Sequence, residues 1–121
     1  MLDLNFINLY VADVVASAAF YTNLLGSKPI QTTPDFAMFG TKSGVTLGLW
    51  RRENVQPAAP ATSGQAGEVC FAVPDTDAVH ADWKARAFTI VQPPTTMGFG
   101  RTFVALDPDG HRLRVFTPAA R

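Results

Sequence analysis

The side chains that can do chemistry are few, and their spacing excludes most chemistries. The two histidines stand apart, His80 in a helical stretch and His111 at the edge of a turn, each without partner ligands nearby in sequence. No Ser-His-Asp or Cys-His arrangement and no phosphate-cradling glycine loop is present. Cys70 is the single cysteine and lies inside an apolar run, so it reads as a buried small hydrophobe. Asp75, Asp77 and Asp82 read as the capped, solvated start of a helix rather than a carboxylate set. What stands out is the run from Gly98 to Phe116: two strands rich in β-branched and aromatic residues, joined by Asp107-Pro108-Asp109-Gly110. Pro108 presets φ in this turn and Gly110 tolerates a positive φ. Four residues past Gly110 stands a cation, Arg114.

Elements that must position these residues follow from periodicity. Phe6 to Val11 alternates as a strand, and Asp13 caps a helix in which Val14, Ala18, Tyr21 and Leu25 recur at helical spacing before Gly26. A short strand at Ile30 to Thr32 lies between Pro29 and Pro34, and a hairpin pairs Phe36 to Phe39 with Val45 to Trp50. Residues 52–66 carry a linker composition, rich in Pro, Ala and small polar residues. A second series follows: a strand at Glu68 to Val73, a helix from Asp75 to about Ala87 with Val79, Trp83 and Ala87 on its apolar side, a short strand from Phe88 to Val91 closed by Pro93-Pro94, and the final hairpin.

The two series match. Val11-Ala12-Asp13 and Val73-Pro74-Asp75 lie 62 residues apart, and the turn glycines Gly44 and Gly110 lie 66 apart. The chain is therefore expected to be one α+β domain built from two βαβββ modules: 1–51, a linker at 52–66, and 67–121. Each module's sheet is too small to bury both faces, so the two are expected to combine as a curved mixed sheet with a concave cleft and helices on the outer face.

Ten basic and ten acidic side chains cancel, which leaves no footprint for nucleic acid or an anionic membrane. The apolar stretches are strand-sized, and Met1-Leu2-Asp3-Leu4-Asn5 lacks the pattern of a secretory signal. The expectation is a soluble, cytoplasmic domain.

The repeat, together with Val11-Ala12-Asp13, the run Ser17 to Gly26 and Asp107-Pro108-Asp109-Gly110, resembles the vicinal oxygen chelate superfamily, the glyoxalase/bleomycin-resistance fold. These motifs span essentially the whole chain. More narrowly, Phe99-Gly100-Arg101-Thr102-Phe103, Asp107 to His111, Arg114-Val115 and the aromatic end of the strand at Trp50 look like the small antibiotic-binding members, most of all those of phenazine resistance.

In metal-dependent members of that superfamily four strand residues hold a divalent ion. By motif spacing the corresponding places here are Phe6, Thr46 or Gly48, Glu68 and Arg114. One carboxylate, one cation and two non-ligands do not make a site for Zn²⁺, Ni²⁺ or Fe²⁺, so no metal, no cofactor and no metal-dependent catalysis is expected.

Strand alternation places Phe6, Asn8 and Tyr10 on one face, with Thr46, Gly48 and Trp50, and Glu68, Cys70 and Ala72 with Arg112, Arg114 and Phe116. The expected ligand-binding residues are Trp50, Phe6, Tyr10, Gly48, Glu68, Phe99, Arg114 and Phe116. Gly48 removes volume beside Trp50, leaving room for a flat molecule. Trp50 is either a stacking platform or an interface or core aromatic; Phe99, between Gly98 and Gly100, either closes over a ligand or simply packs. Arg114 either pairs a ligand carboxylate or pairs with Glu68. This composition suits metal-independent sequestration of a planar aromatic molecule, a phenazine-like antibiotic by resemblance. The resemblance also implies a homodimer whose clefts are shared between subunits. The rival readings are a superfamily enzyme (a lyase, isomerase or dioxygenase, or a metal-free one with Glu68 as base) and an accessory domain without ligand.

Overall fold

In the computed structural model, which describes residues 3–58 and 67–120, the chain forms two compact units, Met1–Thr62 and Ser63–Arg121. The first contains β1 (Phe6–Val11), α1 (Val14–Leu25), β2 (Gln31–Thr32), β3 (Phe36–Phe39) and β4 (Thr46–Arg51). The second contains β5 (Glu68–Ala72), α2 (Thr76–Ala85), β6 (Thr89–Met97), β7 (Gly100–Leu106) and β8 (Arg112–Pro118). Each is a βαβββ module with its own four-stranded mixed sheet, ordered β1-β4-β3-β2 and β5-β8-β7-β6. In both, the first strand runs parallel to the last, which is what a helical crossover after the first strand permits.

The caps explain where the helices begin. The Asp13 carboxylate accepts from the Ala16 amide at 3.2 Å, and Asp75 accepts from Ala78 at 3.1 Å. α1 then lays Val14, Ser17, Ala18 and Tyr21 against the sheet and ends at Gly26, whose φ of 72° is left-handed. Under it, Val11, Ala37, Phe39, Leu47 and Leu49 complete the first core, with the Tyr21 and Phe39 rings 6.4 Å apart. In the second unit Trp83 is the hub: the rings of Phe71, Phe88 and Phe103 meet it edge-on at 6.1, 5.6 and 5.3 Å. Phe103, Ala105, Leu113 and Val115 form the sheet side of that core.

Several local expectations are corrected. β6 does not close at Pro93-Pro94 but continues to Met97. It is an edge strand, and its pairing with β7 shifts register between Gln92 and Thr95, so the missing proline amides fall where no ladder bond is needed. α2 stops at Ala85, and Ala87 is exposed rather than apolar-facing. Its φ of 61° closes a turn in which the Ala87 amide donates to Lys84 O and the Phe88 amide to Trp83 O. His80 is half-buried, its ring packing edge-on to Phe103 at 5.2 Å. Cys70 is exposed, not buried, because alternation along β5 turns it away from Val69 and Phe71. The stretch read as a linker begins folded: Arg52–Asn54 makes a 3-10 turn, Asn54 Nδ2 donates to Asp35 at 2.6 Å, and Val55 is buried. Residues 59–66 of that stretch lie outside the described residues. Among the described residues no helix is long and apolar enough to cross a membrane.

Candidate functional site

Both sheets bury one face under their helix and turn the other away from it. On the first unit's open face, Tyr10 of β1 and Phe36 of β3 stand in register on either side of Trp50 of β4. The Tyr10 ring meets Trp50 edge-on, 6.5 Å away. Phe6 and Tyr10 are 41% and 39% exposed, so much aromatic area remains open on this sheet. The room expected over Gly48 is not there. A Cβ on Gly48 would strike Asn8 Oδ1 and lie 2.9 Å from the Phe6 ring and 3.0 Å from the Phe36 ring. The absent side chain lets its neighbours lean in over the backbone. Gly48 therefore makes the aromatic surface continuous rather than hollow.

On the second unit's open face, Arg114 and Glu68 form an ion pair. Arg114 Nε lies 2.9 and 3.0 Å from the two Glu68 carboxylate oxygens, and Nη2 lies 2.9 Å from Oε2. Nη1 donates to Thr102 Oγ1 at 3.1 Å and to Gln92 Oε1 at 3.3 Å. Thr102 can accept because its own hydroxyl donates to Val115 O at 2.9 Å. The Arg114 hydrogen bond holds the Glu68 carboxyl below its ordinary range, outweighing partial burial, and Glu68 in return raises Arg114. Although Cys70 is exposed as a residue, partial desolvation of its thiol first, and the Glu68 charge second, push that thiol up.

Two aromatic rings flank this pair. The Arg114 guanidinium carbon sits 5.8 Å from the Phe99 ring centre, and Phe99 meets Phe116 edge-on at 6.2 Å. Phe99 occupies the two-residue turn between β6 and β7, where Met97 pairs with Gly100. It is not swung free by its glycines. Its carbonyl accepts from the Ala119 amide at 2.9 Å, and Gly100, at φ 142°, abuts the Thr117 carbonyl where any Cβ would stand. Glycine at 100 is thus an anchor that leaves Phe99 46% exposed on a held backbone.

The registers align the modules internally. Glu68 pairs with Arg112 as Phe6 pairs with Thr46, so Arg114 corresponds to Gly48 and Phe116 to Trp50. Of the two positions open at that place, Gly48 is therefore the counterpart. At the four places where metal ligands would fall, Phe6 and Gly48 offer no side-chain donor, Glu68 has both oxygens engaged by Arg114, and Arg114 is itself a cation. This donor set does not fit a divalent metal. Asp107, Asp109 and His111 approach one another within 4.8 Å but serve the hairpin. Asp107 Oδ1 accepts from the Asp109 and His111 amides at 3.0 and 2.8 Å, and Oδ2 meets His111 Nδ1 at 2.7 Å. His111 is thus a buried turn lock, not an edge residue.

Sequence reasoning missed Gln92 and Thr102. Counting outward from the Asp107–Gly110 turn puts Thr102 beside Phe116, so that signal was present; the bulge in β6 hid Gln92.

Comparison with known proteins agrees with this architecture. A curated relative, the phenazine antibiotic resistance protein EhpR of Enterobacter agglomerans, is 28% identical over 110 residues, covering 88% of this chain and 85% of that protein. The solution structure of protein ATC0852 from Agrobacterium tumefaciens is 41% identical, with a TM-score of 0.86 over 99% of this chain and 100% of that one. A glyoxalase/bleomycin resistance protein/dioxygenase from Nocardioides is 25% identical, with a TM-score of 0.83 over 98% of this chain and 84% of that one. Residues 3–115 match the Glyoxalase/Bleomycin resistance protein/Dioxygenase superfamily, and the chain belongs to that family.

Proposed function

We propose that this protein binds and sequesters a planar aromatic small molecule without a metal, and that the ligand is a phenazine-like antibiotic. The observation that carries this reading is the Glu68–Arg114 pair set beside Phe99 and Phe116, at two of the places the family's metal chemistry needs. Ring stacking and a few fixed hydrogen bonds remain as the available forces, and both open faces offer half-exposed aromatics. Similarity to a phenazine resistance protein supports the choice of ligand class. A carboxyl held low by arginine is a weak general base, which disfavours a proton-abstracting enzyme built on Glu68. The reading includes a homodimer, which sedimentation equilibrium tests. The binding itself is tested by isothermal titration with phenazine. Saturable binding weakened in Phe99→Ala supports the reading; absence of binding across a panel of planar aromatics overturns it.

A further inference from the structure

We infer that Glu68 is a specificity-determining residue that selects uncharged planar aromatics over anionic ones. This rests on the binding reading above and goes further by assigning the ligand's charge. A guanidinium presents five N–H donors. Here the Nε hydrogen and one Nη2 hydrogen go to Glu68, and the Nη1 hydrogens go to Thr102 and Gln92, leaving one Nη2 hydrogen. Arg114 is therefore a neutralised cation with four of its five N–H donors engaged and its guanidinium carbon 5.8 Å from the Phe99 ring centre, not an open bidentate receptor for a carboxylate. A ligand stacked on Phe99 or Phe116, two mutually inclined rings, lies beside an ion pair whose charges cancel.

Among the described residues the other charged group of this face is Arg112, at the exposed start of β8 in register with Glu68. Its charge helps hold the Glu68 carboxyl low, as the last of the causes acting there, and its exposure leaves it screened toward a ligand. Arg114 and Glu68, with side chains only 18% and 29% exposed, are less screened than Arg112 and cancel one another's charge. Removing the Glu68 charge while keeping its shape turns Arg114 into an unpaired cation beside two rings, which is the arrangement that captures aromatic carboxylates.

The test is isothermal titration of the full chain at pH 7.5 with phenazine and with phenazine-1-carboxylate, for the wild type, Glu68→Gln and Glu68→Asp. The wild type is expected to favour phenazine by about tenfold or more. Glu68→Gln is expected to shift the ratio toward the carboxylate by about tenfold, with a new salt dependence confined to the anionic ligand. Glu68→Asp, which keeps the charge, restores the wild-type preference. The double variant Glu68→Gln/Arg114→Gln removes both charges and is expected to lose the gain for the carboxylate. Should Glu68→Gln not fold by circular dichroism, the wild-type ratio between the two compounds decides the matter. Equal or stronger wild-type binding of the carboxylate, or a ratio unmoved by Glu68→Gln, overturns the inference while leaving the binding reading standing. Binding of neither compound to the wild type overturns the binding reading itself.

Discussion

Arg114 reaches across from β8 to hold both carboxylate oxygens of Glu68 on β5, with three nitrogen–oxygen separations between 2.9 and 3.0 Å. Although the two strands are direct neighbours, Arg114 is in register with Cys70, so the contact is diagonal. Charge-assisted bonds of this geometry are the strong kind, and partial burial limits screening.

The pair links stability to pH. The Glu68 carboxyl is lowered in the folded state, so its contribution is fully present above the ordinary glutamate value of about 4.3 and is lost as pH falls through the lowered folded value. Urea unfolding of the wild type is expected to show stability falling with acid below that range. Glu68→Gln should start lower at neutral pH and lose less on acidification. Parallel acid profiles for the two proteins contradict the linkage.

Gly100 is expected to resist substitution. Gly100→Ala places a Cβ on the Thr117 carbonyl and imposes φ 142° on a residue with a side chain. Together these cost about 3 kcal/mol or more, measurable as a reduced urea midpoint, and phenazine affinity falls as the Phe99 turn is displaced.

Ala87 offers the opposite effect. It closes α2 at φ 61°, a conformation glycine adopts without strain, and it is exposed, so nothing is lost by removing its methyl group. Ala87→Gly is expected to stabilise the protein by about 0.5–1 kcal/mol, seen as a higher melting temperature. A lower one contradicts the account of the helix end.

The two tryptophans should report differently. Trp83 is buried in the second core, whereas Trp50 is half-buried on an open face. Phenazine is expected to quench Trp50 emission, and Trp50→Phe should abolish most of the quenching while retaining binding. Trp50→Ala is expected to weaken binding by about 2 kcal/mol, roughly thirtyfold in Kd. Quenching that survives in Trp50→Phe places the ligand elsewhere.

Much of this was readable from local chemistry. Asp13 and Asp75 announce their helices because a short carboxylate is the natural acceptor for free first-turn amides. Gly26 and Gly110, at φ 72° and 84°, mark turns that side chains disfavour. Alternation sorted Phe6, Tyr10 and Trp50 from Leu47 and Leu49, and put Glu68, Arg114 and Phe116 on one face. What stayed hidden depends on tertiary detail. The β6 bulge that presents Gln92, the filling of the space at Gly48, and the anchoring of Phe99 through Ala119 come from contacts between strands distant in sequence. Neither period nor propensity encodes these contacts.

The central claim, metal-independent capture of a planar aromatic, is tested most directly by titrating chelator-treated, metal-analysed protein with phenazine by calorimetry. The account predicts saturable binding that is unchanged when Zn²⁺, Ni²⁺ or Fe²⁺ is added back. Binding that appears only with added metal, or none under either condition, contradicts it.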